Sequence, residues 1–354
     1  MKLNKKKVVL GMIFAMLAII FTVLIFPGNT SPVGENGIAK IESLTLGGVK
    51  QWIVIRSENI EKPVILLLSG GPGGTEMGRF LKFNKELENY FIVVNWEQRG
   101  CGKSYPGIKE KDLMTVQQYV SDIHELTEYL KKKFNKEKIY LLGHSWGTII
   151  GTMAIKEKPE NFYAYIGAAQ MVNIQETDRY MYNFVLGAAE KNGDKKLSER
   201  MRKNGAPPYY GNKILDKYKD FLTNYAQYYM KENPFNEANR EWYSLSSFLF
   251  LSEYNLIDQI RVLKGIVNTF ELIYPQLQNV NFIKQINEIE IPVYYMIGKH
   301  DYTSLFIEKY FEILKAPKKE LFWFENSAHG EIWTEADKFH DLVINKILPE
   351  TFKN

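Results

Sequence analysis

The sequence has almost no cysteine. Cys101 is the single thiol in 354 residues, which excludes a disulfide framework and any paired-cysteine zinc site. Histidine is scarce as well, at five, and neither H-E-x-x-H nor an EF-hand loop occurs, so no metal and no cofactor is expected. Charge of one sign is missing from the body of the chain. The formal net charge is +4, and Lys2, Lys5, Lys6 and Lys7 all precede the first acidic residue, Glu35. Setting those four aside leaves 41 basic against 41 acidic residues. A neutral body lacks the electrostatic footprint of a nucleic-acid binder. Internal repeats and low-complexity tracts are absent too. With 45% apolar and 24% charged residues, the composition is that of a chain that buries a core.

What is present begins with one long apolar run. Val8 to Phe26 is interrupted only by Gly11 and Thr22. As a helix, rising ~1.5 Å per residue, it approaches the ~30 Å hydrocarbon thickness of a bilayer. Lysines precede it, and the polar sequence Pro27-Gly28-Asn29-Thr30-Ser31-Pro32 follows. The positive-inside rule then predicts a single-pass membrane anchor over residues 1–28, with the catalytic domain extracytoplasmic. Secretion after signal cleavage is the alternative. The run exceeds a ~7–15-residue signal core, and the small-x-small triplet Gly37-Ile38-Ala39 lies well past its end.

Residues 29–45 read as a linker. Beyond it, short β-branched runs alternate with amphipathic stretches. Gln51–Arg56, Val64–Leu68, Phe91–Asn95, Ile139–Leu142 and Tyr163–Ala168 are expected strands, and residues 115–134 are an expected helix with apolar positions at 3- and 4-residue steps. Strand signal lapses from about 174 to 288, where helical and aromatic sequence dominates; Tyr218, Phe221, Leu222, Tyr225 and Tyr229 fall at helical steps. It returns at Val293–Ile297 and Glu320–Phe324, before a final helix over 334–347. The pattern predicts a mostly parallel α/β sheet flanked by helices, built from residues 46–173 and 289–354 and interrupted by a helical cap at 174–288.

Gly143-His144-Ser145-Trp146-Gly147 matches G-x-S-x-G between an expected strand and an expected helix. Such a sharp turn lifts a serine to the strand end, where the helix amino terminus faces developing negative charge. A serine hydroxyl needs a base and an orienting carboxylate. His329 follows the last strand and Asp301 the one before it, so both are placed in loops at strand carboxyl ends. The catalytic set expected is therefore Ser145, Asp301 and His329. The oxyanion hole needs two backbone N–H groups. Trp146, after the nucleophile, supplies one; Gly71, in the loop Ser69-Gly70-Gly71-Pro72-Gly73-Gly74, supplies the other. A phosphate-binding reading of that loop fails because Glu76 stands where the last glycine of G-x-G-x-x-G belongs. Gly102-Lys103-Ser104 fails as a P-loop end because Glu97 occupies the first glycine position. His144 is expected to point elsewhere in the turn, His124 and His340 to be packing or surface residues, and Cys101 to be a spectator.

Together, S-G-G-P-G-G at 69–74, W-E-Q-R-G-C-G-K-S at 96–104, G-H-S-W-G-T at 143–148, Asp301 and S-A-H-G at 327–330 resemble the proline iminopeptidase (prolyl aminopeptidase) group of α/β-hydrolases. The resemblance covers about residues 50–173 and 288–348. Ser69 stands where that group has histidine, and Glu97 where it has aspartate. The resemblance implies an α/β-hydrolase fold with a cap and release of an amino-terminal residue, often proline, from short peptides through an acyl-enzyme. A carboxylesterase or lipase-like hydrolase using the same triad is the alternative. An exopeptidase needs an anion for the substrate ammonium. The group takes glutamates from the cap, and Glu176, Glu190, Glu237, Glu241, Glu253 and Asp178 are available here without a choice among them. Tyr209, Tyr210, Trp242, Tyr243, Phe248 and Phe250 are candidates for substrate contacts or for core. The partners expected are a small peptide or ester substrate and the membrane.

Overall fold

Strand periodicity places the sheet. In β3 (Val64–Leu68), Val64, Leu66 and Leu68 join one apolar core while Ile65 and Leu67 join another on the opposite face. A strand alternates its side chains between faces, so a run that is apolar throughout must be covered twice. The computed structural model describes residues 5–25, 28–237, 244, 247 and 249–352. Among them an eight-stranded sheet has the order β1-β2-β4-β3-β5-β6-β7-β8. The strands are β1 (Ile38–Leu46), β2 (Val49–Ser57), β3, β4 (Ile92–Glu97), β5 (Ile139–His144), β6 (Phe162–Ala168), β7 (Val293–Gly298) and β8 (Lys319–Phe324). β2 runs antiparallel to both β1 and β4, and every other pairing is parallel. This is the α/β-hydrolase architecture.

The helices in chain order are α1 (Lys5–Ile25), α2 (Met77–Phe83), α3 (Val116–Phe134), α4 (Trp146–Glu157), α5 (Ile174–Lys191), α6 (Lys195–Asn204), α7 (Ile214–Glu232), α8 (Leu256–Ile273), α9 (Phe282–Gln285), α10 (Ile307–Ile313), α11 (Glu331–Thr334), α12 (Ala336–Asp341) and α13 (Leu348–Thr351). Thr115 caps α3 by accepting the Gln118 N–H at 3.1 Å, a typical start for a helix that buries Ile123, Leu126 and Leu130. Helices α5 to α8 lie in the chain between β6 and β7, within the stretch where strand signal lapsed. The expected helix over 334–347 forms from Ala336 onward, its backbone widening to a π-helix at Leu342–Ile347 before α13.

Two expectations need correction. The linker is shorter than residues 29–45, because Ile38–Leu46 pairs along its whole length with β2. The turn between them is Gly47-Gly48, both at positive φ, as a type I′ two-residue hairpin requires. The membrane-spanning helix is not found: among the described residues, no helix is long and apolar enough to cross a membrane. Helix α1 does form, with Val9, Leu10, Met12, Phe14, Met16 and Leu17 exposed.

Candidate active site

The sheet order reverses around β3, whose neighbours are β4 and β5. In open α/β sheets the crevice at such a reversal, beyond the strand carboxyl ends, is where ligands bind. A cavity of 290 Å³ opens there, lined by Gly70, Gly71, Glu76, Arg79, His144, Ser145, Ile266, Phe270 and His329, among others.

Ser145 follows β5 and caps the start of α4 with φ 53° and ψ −121°. A non-glycine residue in that conformation stores roughly 1–3 kcal/mol of strain. The surroundings hold it: the Ser145 N–H donates to the Ala168 carbonyl at 3.0 Å, and its own carbonyl accepts from the Thr148 N–H at 2.8 Å and the Thr148 hydroxyl at 2.6 Å. Gly147 is forced by packing, since a Cβ there would run into the Leu68 carbonyl of β3. Gly298 is forced in the same way by the Ala328 carbonyl, which lets the loop carrying Asp301 lie against the loop carrying His329.

The three expected side chains meet. His329 Nε2 lies 2.9 Å from Ser145 Oγ, and its Nδ1 lies 3.1 Å from Asp301 Oδ1. The Asp301 carboxylate also accepts from the Thr303 N–H at 2.9 Å, the Thr303 hydroxyl and the Ser304 hydroxyl at 2.7 Å. Burial pushes the Asp301 pKa up, but the His329 charge and hydrogen bond, with those of Thr303 and Ser304, outweigh it and hold the carboxyl below its usual range. For His329, burial opposes the charged form; the Asp301 charge and hydrogen bond more than offset this, and its pKa is raised. The pair thus favours an imidazolium that appears when the serine loses its proton.

Gly71 lines the cavity. Trp146 does not, but it is the first residue of α4, so its N–H is one of the first-turn amides that no helix carbonyl can take. Its indole N–H donates to Gln98 Oε1 at 2.9 Å, and Gln98 Nε2 donates to the Ser69 carbonyl at 3.0 Å. Gln98 of the W-E-Q-R-G segment therefore ties the nucleophile helix to the glycine loop. Arg99, next to it, is fully buried in a two-pronged pair with Asp122 at 2.7 and 2.8 Å.

Other candidates fall elsewhere. Glu176 and Glu190 are on solvated helix faces, each paired with an arginine. Asp178 is buried under Tyr274 and Gln278. Neither these nor Glu237 or Glu253 lines the cavity. Glu241, Trp242, Tyr243 and Phe248 lie outside the described residues. Tyr209 packs in the core against Tyr218, while Tyr210 and Phe250 are exposed. Cys101 is buried, its thiol donating to the Gly74 carbonyl. His124 and His340 are also buried, against Glu157 and Asn84. Contact with the helices between β6 and β7 comes from Tyr302, which packs between the His329 ring and Tyr225 of α7, and from Ile266 and Phe270 of α8.

Sequence reasoning missed two features of the site. His144 does not point away; it is buried beside His329 and paired with Glu76 at 2.6 Å. Nothing in the sequence linked residues so far apart. The support that Thr303 and Ser304 give Asp301 was detectable in principle, because an aspartate followed two residues later by threonine is a common local turn.

Residues 60–227 match the serine aminopeptidase S33 family. The chain is 31% identical over 300 residues to a probable aminopeptidase, YbaC, of Bacillus subtilis, covering 83% of this chain and 92% of that one. It is 25% identical over 283 residues to a proline iminopeptidase of Saccharolobus solfataricus, covering 79% of this chain and 83% of the relative. In structure it is similar to a proline iminopeptidase-related protein of Thermus thermophilus, with a TM-score of 0.60 and 18% identity over 89% of this chain and 98% of the other. A strained serine on its elbow, an imidazole within hydrogen-bond reach and a relative matched over most of its length converge on one statement: the chain belongs to the serine aminopeptidase S33 family of α/β-hydrolases and is a hydrolase.

Proposed function

We propose that this hydrolase releases amino-terminal residues from short peptides through an acyl-enzyme on Ser145. The observation that carries the reading is the linear relay of Ser145 Oγ, His329 and Asp301 at 2.9 and 3.1 Å. Ser145 Oγ attacks the scissile carbonyl while His329 Nε2 takes its proton. The oxyanion is held by the amides of Gly71 and Trp146. His329 then protonates the departing amine, and water repeats the sequence to free the acid. Residues 174–288 act as the cap, setting which acyl groups reach the serine.

One observation favours ester substrates as a second reading. Among the described residues lining the cavity, the carboxylate is Glu76, and it is already paired with His144. An ester needs no anion for an ammonium group. A panel of aminoacyl-arylamides beside short aryl esters separates the two. Ester turnover with no arylamide cleavage would sink the peptidase reading, and a fully active Ser145→Ala would sink both.

We also propose, from the lysine-flanked apolar run alone, that the catalytic domain lies outside the cytoplasmic membrane. Loss of activity when intact cells are digested by an added protease, or activity in the culture medium, supports the location. Enzyme found only inside intact cells refutes the location.

A further inference from the structure

The mechanism above leaves one buried pair unused, and that pair reaches the glycine loop, the nucleophile elbow and the base loop. Glu76 Oε1 meets His144 Nδ1 at 2.6 Å. Glu76 Oε2 accepts the Gly70 N–H at 3.0 Å. His144 Nε2 lies 2.9 Å from the backbone carbonyl oxygen of His329. Both side chains are buried. Three segments distant in the chain are thereby joined: the glycine loop after β3, the nucleophile elbow after β5 and the base loop after β8.

The protons follow from the partners. A carbonyl oxygen only accepts, so His144 Nε2 carries hydrogen. Burial works against the Glu76 charge, but the His144 charge and hydrogen bond and the Gly70 N–H outweigh it, holding its carboxyl below the usual range. The Glu76 carboxyl meets Nδ1 at 2.6 Å, so both ring nitrogens are hydrogen-bonded and His144 is held between Glu76 and the His329 backbone.

We propose that Glu76 and His144 form a positioning pair for the hydrolytic reaction, fixing the base and the oxyanion loop through backbone atoms rather than by touching the reacting groups. The inference rests on the triad reading. Pulling on the His329 carbonyl sets where its ring stands relative to Ser145, and holding the Gly70 N–H sets the height of the neighbouring Gly71 amide. A side chain at Gly70 would crowd Glu76 Oε1 and Ser145 Cβ, so the loop lies close to both. Misplacing a reacting group by ~1 Å can cost on the order of 100-fold in rate. A lost positioning pair should therefore appear in kcat and spare KM.

The substitution that tests this is Glu76→Gln. A glutamine can keep its oxygen on the Gly70 N–H and turn its NH₂ to donate to Nδ1 of a neutral His144. That imidazole still donates from Nε2 to the His329 carbonyl. Every hydrogen bond survives while the carboxyl group is replaced by an amide. With an aryl ester as probe on the full chain, Glu76→Gln is expected to keep kcat within about threefold, while Glu76→Ala and His144→Ala lose roughly 30- to 100-fold in kcat with KM within about twofold. Circular dichroism and labelling of Ser145 by a fluorophosphonate report the folded fraction. If an alanine variant does not fold, His144→Gln, which keeps a donor but not both contacts, stands in and is expected to lose at least about tenfold.

Three outcomes overturn the proposal. Folded alanine variants with full kcat show that the pair positions nothing. A Glu76→Gln variant as impaired as Glu76→Ala shows that charge, not placement, matters. A Glu76→Gln variant whose KM rises for aminoacyl-arylamides but not for esters makes Glu76 the substrate ammonium acceptor instead. Wild-type protein that shows no Ser145-dependent turnover of either substrate fails the triad reading itself, and is distinguishable from all three.

Discussion

Asp301→Asn separates what the carboxylate does by charge from what it does by geometry. Replacing such an aspartate commonly costs on the order of 10⁴ in kcat, because the amide NH₂ turns to the histidine and selects the wrong tautomer. Here the local contacts argue otherwise. Oδ1 accepts both His329 Nδ1–H and the Thr303 backbone N–H, at 3.1 and 2.9 Å. A backbone N–H cannot rotate, so an NH₂ at that position would face an unyielding donor. The amide oxygen must stay at Oδ1, and the NH₂ must take the Oδ2 position, where the Ser304 and Thr303 hydroxyls can turn to accept. The tautomer with hydrogen on Nδ1 is preserved. What disappears is the negative charge beside an imidazolium. A charged hydrogen bond contributes ~1.5–3 kcal/mol against ~0.5–1.5 for a neutral one. The difference, about 1–2 kcal/mol, corresponds to roughly 5- to 30-fold in rate. The pH profile should move as well. Turnover needs neutral His329, whose pKa Asp301 holds raised, so the acid limb of kcat/KM should shift to lower pH in the variant. The assay is aryl-ester hydrolysis measured from acid through neutral to mildly alkaline pH. A 10⁴-fold loss, on the order seen for a reversed tautomer, would refute the pinned amide. A variant with unchanged rate and unchanged acid limb would remove Asp301 from the relay.

Three further outcomes are expected. Burial pushes the Asp178 pKa up to about 7 against the hydrogen bonds of Gln278 and Tyr274. The folded state then binds a proton that the unfolded state releases above ~4, so stability from this group falls as pH rises from about 4 to 7. Asp178→Asn should flatten that slope in urea unfolding compared on the two sides of this window; an equally steep fall in the variant would disprove the assignment. Arg99→Met removes the guanidinium partner of the fully buried Asp122, and should cost ~3–5 kcal/mol in the same assay; a cost under about 1 kcal/mol would contradict the pairing. Gly147→Ala places a methyl against the Leu68 carbonyl. It should yield little soluble protein or a large fall in Tm, whereas wild-type stability would show that α4 can shift away from β3.

Much of the fold could be read from short-range pattern. Val64–Leu68 is apolar at every position and could only be an inner strand. Gly143, Ser145 and Gly147 were readable as an elbow because steric crowding in a strand–turn–helix corner demands small residues at fixed spacing. Chain order then nominated Asp301 and His329, since each follows its strand at the sheet edge where catalytic loops gather. β1 was misjudged because only half its residues are apolar and its partner, β2, supplies the pairing. The carboxylates of residues 174–288 could not be ranked either: helical periodicity gives a face but not what the face meets, and none of those described lines the cavity.

The sequence by itself determined seven of the eight described strands, the elbow and the residue types of the relay, because each depends on a few neighbouring positions obeying periodicity or steric limits. Tertiary structure alone decided that Glu76 meets His144 across 68 residues, and that His144 reaches the His329 backbone across 185. It likewise decided that Thr303 pins the orientation of Asp301 and that α8 supplies Ile266 and Phe270 to the cavity wall. Those contacts are products of how the packed sheet and helices bring remote loops together, and no local pattern encodes a distance between segments that meet only after folding.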